Sequence, residues 1–238
     1  MITSPQIFII YEPGMFGTFL ANLFTHHKSL SNNNLTDKFY NDENKFNAHG
    51  ASYKDFLKNF HEHRDFEKLS KKNNLELINF FQPTKNQNLC IHRLCSYSFT
   101  NIPFEQVFTN FVKIILVSKE DRLNNYAKRM FFSTSKRYES QYWYKNFKKK
   151  NLATIHNNFL KKIGIKKYLK YLKKKRELLL NDYTINEKYD LLFDPDNCKN
   201  YEELTLLINI VCKKLDIENF NLPINKIKNF LDKNKEFL

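Results

Sequence analysis

The stretch that most constrains this chain lies near its start. An apolar run, Ile7-Phe8-Ile9-Ile10-Tyr11, passes directly into Glu12-Pro13-Gly14-Met15-Phe16-Gly17-Thr18 and then into the apolar-patterned segment Phe19 to Phe24. Five apolar residues, a short turn and a helical pattern predict strand, tight loop and helix. The turn holds two of only four glycines in the protein, so its backbone conformation is under unusual demand.

A loop that closes onto a helix N-terminus directs several backbone N–H groups outward, and the positive end of the helix dipole favours an anion there. Gly14 and Gly17 are expected to let the chain turn sharply and approach a ligand, and the Thr18 hydroxyl adds a donor at the helix start. The plain alternative is an ordinary strand-to-helix turn in which the glycines serve the turn and Thr18 the cap. The segment is not a Walker A loop, which needs four residues between its glycines followed by Lys and Ser or Thr. Only two residues separate Gly14 from Gly17 and no Lys follows, which argues against a Mg²⁺-dependent nucleotide hydrolase or kinase.

Further strands are expected at Asn88–Leu94, at Phe111–Val117 and at Tyr189–Phe193. The first of these sets His92 at a strand's carboxyl end with Arg93 beside it. Ligands of open α/β sheets bind beyond the carboxyl ends of strands, so that position singles His92 out, although a lone His is more often structural. The second strand leads into Lys119-Glu120-Asp121-Arg122-Leu123-Asn124-Asn125, a polar corner before a helix expected to run through Phe132. Amphipathic helices are expected within residues 52–72, over Lys161 to Lys175, over Tyr201 to Leu215 and near Ile224 to Leu231. Residues 28–50 read as a polar, Asn-rich excursion. His61 and His63 stand two apart and would face different ways on a helix, which speaks against a metal site. Strand–loop–helix repetition with polar corners predicts an α/β fold of three layers, a mostly parallel sheet between helices. No Gly/Pro-rich linker divides the chain, so one domain over residues 1–238 is expected, with a helical Lys/aromatic-rich insertion around 133–176.

The formal net charge of +14 invites an anionic partner. Only six of the 39 basic residues are Arg, leaving 33 Lys, so base reading by bidentate contacts is disfavoured and a solvated Lys-rich surface is the plainer reading. Basic clusters interleaved with aromatics, such as Tyr138, Tyr142, Trp143 and Lys148-Lys149-Lys150, keep nucleic-acid or anionic-polymer binding as an alternative function. The N-terminus lacks a basic leader with an apolar core, and no run approaches the roughly 18 apolar residues of a membrane span. Cys90, Cys95, Cys198 and Cys212 show neither CxxC pairing nor metal-ligand spacing. Reduced thiols in a cytoplasmic protein without a membrane anchor are the expectation.

Taken in order, Gly17-Thr18-Phe19-Leu20 after a strand and a Pro-containing turn, His92 on an inner strand, Lys119 with Asp121 to Tyr126 after an apolar strand, and Tyr189-Asp190-Leu191-Leu192-Phe193-Asp194-Pro195 resemble the P-loop sulfotransferases that use 3′-phosphoadenylyl sulfate. The resemblance implies a P-loop nucleotide-binding fold and transfer of a sulfuryl group to a hydroxyl or amine acceptor without a metal. It implies that Gly14, Met15, Phe16, Gly17 and Thr18 hold the 5′ end of the co-substrate, that Lys119 and Asn125 hold its 3′-phosphate, and that His92 is the catalytic base. The chain departs from the family where Met15 and Phe16 replace the loop's basic residue, Lys119 replaces Arg and Asn125 replaces Ser. An inactive nucleotide-binding relative is therefore a second reading, and neither the acceptor nor the oligomeric state is specified by these residues.

Overall fold

The computed structural model describes residues 1–12, 15–24, 26–27, 30, 61–63, 71–81, 90–94, 96–127, 152–222, 224–225 and 227–228, with backbone alone at 18, 22, 61–63, 80 and 152–163. Its described residues form two compact units, Met1–Val117 with Ile185–Leu238, and Ser118–Thr184.

The first unit is built on an all-parallel sheet. β1 (Gln6–Ile10) lies at its centre, β3 (Ile91–Leu94) and β4 (Phe111–Leu116) flank it, β5 (Asp190–Phe193) lies outside β4, and the three-residue β2 (His61–His63) lies outside β3, giving the order β2-β3-β1-β4-β5. β1, β3 and β4 are buried at every position, as expected of strands covered on both faces and rich in Ile, Val and Phe. This is the α/β architecture expected from the sequence. His61–His63 is a strand where a helix was expected, while most of 52–72 lies outside the described residues.

Helix α1 (Gly17–Phe24) follows β1, α2 (Asn74–Phe81) precedes β3 and the short α3 (Phe104–Val107) precedes β4. α2 was not anticipated, yet its start is written in the sequence. The Glu76 N–H donates to Asn73 Oδ1 and the Asn73 N–H to Glu76 Oε2, both at 2.9 Å, a reciprocal capping box. The face of the sheet carrying Phe8 is covered by α2 and α3, for the Phe8 ring meets Phe81 at 5.7 Å and Phe104 at 4.7 Å. α1 packs against β1 and β3.

After β5 a helix runs over Tyr201–Leu215, the span expected from its periodicity, and residues 224–225 and 227–228 beyond it are helical. The Asn200 side chain accepts from the Glu202 and Glu203 amides, acidic residues fill the first turn and Lys213 and Lys214 the last, and Asp216 ends the helix in a left-handed conformation. Leu204, Leu207, Ile208, Val211 and Leu215 form its buried stripe. His27, just after α1, meets the Glu218 carbonyl through Nε2 at 2.6 Å and so fastens the end of α1 to the segment beyond this helix.

In the second unit, a 3-10 turn at Glu120–Arg122 precedes helical residues 123–127, and residues 128–132 of the expected helix lie outside the described residues. Leu152–Asp182 is helical with a break at Gly164, whose φ of 68° and ψ of 171° are non-helical. The break separates two helices, the second spanning 165–182. The expected helix from Lys161 to Lys175 thus crosses a glycine that divides it.

Candidate anion site

Parallel strands bring their carboxyl ends to one edge. The Tyr11 N–H donates to the Leu94 carbonyl at 3.0 Å, Ile10 stands in register with Leu94 and Ile115, and the Val117 N–H donates to the Phe193 carbonyl at 3.0 Å. The exits of β1, β3 and β4 therefore lie side by side.

The loop after β1 is anchored to that edge. The Met15 N–H donates to the Glu12 carbonyl, and Met15 is 1% exposed, its sulfur 3.2 Å from the Tyr97 hydroxyl oxygen. The left-handed residue is Phe16, at φ 58°. A bulky residue pays about 1–2 kcal/mol for that conformation, so surrounding contacts must hold it. The first helical hydrogen bond runs from the Leu20 N–H to the Phe16 carbonyl at 3.0 Å, which points the first-turn amides beyond the helix end.

Gly17 meets a different need from the one expected of it. A Cβ there would lie 2.2 Å from Cδ1 and Cε1 of Tyr11, so the absent side chain makes room for an aromatic ring of the protein itself. Gly14 and the Thr18 side chain lie outside the described residues.

His92 occupies another environment. It is the second residue of β3 rather than its last, and it is 0% exposed. Its ring stacks on Phe8 at 4.6 Å, meets Phe81 edge-on at 5.2 Å, and approaches Gln6 Oε1 through Nε2 at 2.6 Å. Because Gln6 Oε1 can only accept, Nε2 carries a proton in this arrangement. Gln6 opens β1, so His92 is tied towards the amino end of the sheet, away from the loop. Arg93, next in sequence, aligns with Ile9 and is buried on the opposite face, as strand alternation requires.

Sequence reasoning missed Tyr97 and Glu12. Tyr97 opens a 3-10 turn, Tyr97–Asn101, whose preceding Ser96 side chain accepts from the Ser98 amide. Its own amide donates to Glu12 Oε1 at 3.3 Å and its hydroxyl reaches the Leu116 carbonyl at 2.5 Å as well as the Met15 sulfur. One residue thus braces the exits of β1 and β4 and seats the loop. The available signal was Ser96-Tyr97-Ser98 directly after a strand, a corner rich in local acceptors.

Lys119 and Asn125 belong to the second unit, where both are exposed, Lys119 as the residue before the 3-10 turn and Asn125 in helical residues 123–127. The Ser118 carbonyl at that corner accepts from Arg176 Nε at 2.9 Å.

The loop residues suit part of the implied co-substrate. Amides at the start of α1 are chemically apt for phosphate oxygens. A sulfuryl group in transfer also requires a cation, and among Met15, Phe16 and Gly17 there is none, so no transfer step can be assigned to them. Among the described residues no group of His, Cys, Asp and Glu could hold a metal ion, and no helix is long and apolar enough to cross a membrane. Burial pushes the Cys90 thiol up to about 11, and burial with Asp194 and Asp196 nearby raises Cys198 further, which leaves both as unreactive thiols. No protein-family model, curated protein or solved structure matches this chain.

Proposed function

We propose that this chain is a sulfotransferase-like nucleotide-binding protein that takes the phosphate end of a 3′-phosphoadenylyl nucleotide at the loop between β1 and α1. The observation carrying this reading is the strand order. The chain leaves β1 towards β2 and leaves β4 towards β5, in opposite directions, and such a reversal opens a crevice at the strands' carboxyl ends. The β1 loop stands at that reversal and leads straight into a helix N-terminus.

Within this reading, the burial of His92 favours the inactive nucleotide-binding relative over the sulfotransferase. A general base must come within hydrogen-bond reach of its acceptor, and this imidazole is enclosed by Phe8, Phe81 and Gln6. Calorimetric titration with adenosine 3′,5′-bisphosphate tests the binding half, with saturable heat expected at submillimolar ligand. Absence of heat at millimolar ligand sinks the reading. A screen for sulfate transfer from 3′-phosphoadenylyl sulfate tests the other half, and turnover abolished by His92→Ala would restore the enzyme.

A further inference from the structure

Residues 161–182 hold eight Lys and one Arg against two acidic residues, a net +7, half of the whole chain's +14 in 22 of its 238 residues. A general drift of composition towards Lys would spread evenly, and this charge does not. On the second helix of that region it is also sorted by face. At 3.6 residues per turn, Lys166, Lys167, Lys170, Lys173 and Lys174 fall within an arc of about 120°. Buried Tyr168, Leu172 and Leu179 occupy the opposite side. Lys173 pairs with Glu120 at 3.1 Å, whereas Lys166, Lys167, Lys170 and Lys174 are exposed and form no ion pair among the described residues. Glu177 and Asn181 lie within the same arc, one and two turns further along.

We propose that this lysine arc is a docking surface for the phosphate backbone of double-stranded nucleic acid, bound without sequence preference. Lys166 to Lys174 span about 12 Å of helix axis, over which a duplex presents about seven phosphates at one charge per ~1.7 Å. Ammonium groups act on phosphates as point charges and lack the fork that reads guanine, so affinity without base reading follows. Single-strand binding through stacking is disfavoured because the arc contains no aromatic residue. Tyr168 is buried, and Tyr171 stands to one side with Lys175 Nζ 5.8 Å from its ring centroid. A bilayer is disfavoured because the apolar side of the helix is already packed. The exposed Leu178 and Leu180 point about 160° apart and form no stripe.

The inference is independent of the nucleotide reading, and its test uses the full chain with a random-sequence DNA duplex at varied salt. Four neutralised phosphates give a slope of log K against log salt near about −3.6, hence a loss of roughly 150-fold between 50 and 200 mM salt. Replacing the four unpaired lysines together (K166Q, K167Q, K170Q, K174Q) should flatten that slope by about 3 to 4, with an unchanged circular dichroism spectrum because all four are exposed. No duplex binding at 50 mM salt overturns the proposal, as does an unaltered slope in the quadruple variant. Tighter binding to a single strand, or equal binding of polyglutamate, also overturns it and assigns the arc to another partner.

Discussion

The two ends of the sheet handle polarity in opposite ways. At the amino end, charged and polar side chains are buried beside one another. Lys113 and Asp190 stand in register on neighbouring strands with Nζ 3.1 Å from Oδ1, their side chains 4% and 0% exposed, and His92 meets Gln6 on the same face. Register makes this a single row, His92–Phe8–Lys113–Asp190, with Phe8 between the imidazole and the ion pair. At the carboxyl end, polarity is supplied by the backbone of a loop and a helix start, and the side chains that touch it, Tyr11, Met15 and Tyr97, mostly position that backbone. Buried side-chain charge belongs to the scaffold here, while amide dipoles at an edge can meet a ligand.

The largest effect should come from breaking the amino-end pair. Asp190→Ala leaves the buried ammonium with only the half-exposed Glu105 carboxylate, 3.9 Å away, as counter-charge and should cost about 3 kcal/mol in urea denaturation, the low end for a broken buried pair. Replacing both partners (K113M with D190L) should recover most of that loss, since apolar residues of similar volume often substitute for a buried pair without penalty. If the double variant proved no more stable than Asp190→Ala, the charge would not be the reason for the cost.

Next in size is the carboxyl end. Gly17→Ala forces a methyl group into the Tyr11 ring and should destabilise by about 1–3 kcal/mol, the usual cost of overpacking. The paired change with Tyr11→Ala makes room for the methyl and should show a smaller coupled loss than the sum of the two. Strict additivity would mean that the ring is not what Gly17 accommodates.

Tyr97→Phe should have the smallest effect on stability, about 0.5–1.5 kcal/mol for the lost hydroxyl contacts. It should act more strongly on adenosine 3′,5′-bisphosphate affinity than on the denaturation midpoint, because the hydroxyl ties the loop at Met15 to a single carbonyl at the end of β4. Equal effects on both would erase the proposed division between the two ends.

Much of the fold was legible because burial on both faces imposes continuous apolar runs. Phe111–Val117 and Ile7–Tyr11 read as inner strands for that reason, and Tyr201–Leu215 declared its helix by period and caps. His61–His63 was misread because three residues carry too little pattern to separate strand from helix. The site was less legible. His92 drew attention through its expected place at a strand's carboxyl end, but sequence alone does not reveal that Gln6 and Phe8, more than eighty residues earlier, would enclose it. Nor could local pattern show that Tyr97 reaches a carbonyl on β4, since such contacts follow from strand order. At the turn itself the left-handed backbone falls on Phe16 rather than on a glycine, and Gly17 makes room for a neighbouring ring.

The pairing of Lys113 with Asp190 also sets an order of events during folding. β1, β3 and β4 can associate as soon as Leu116 has been made, but β5 becomes available only after all of Ser118–Thr184 has followed. Closing so long a connection costs chain entropy before any contact repays it. Until the last strand docks, the ammonium of Lys113 lacks Asp190 and has only the half-exposed Glu105 as a carboxylate neighbour. A nascent chain ending before residue 190 therefore keeps a wet, incomplete sheet, and arrival of the final strand lets that edge dry.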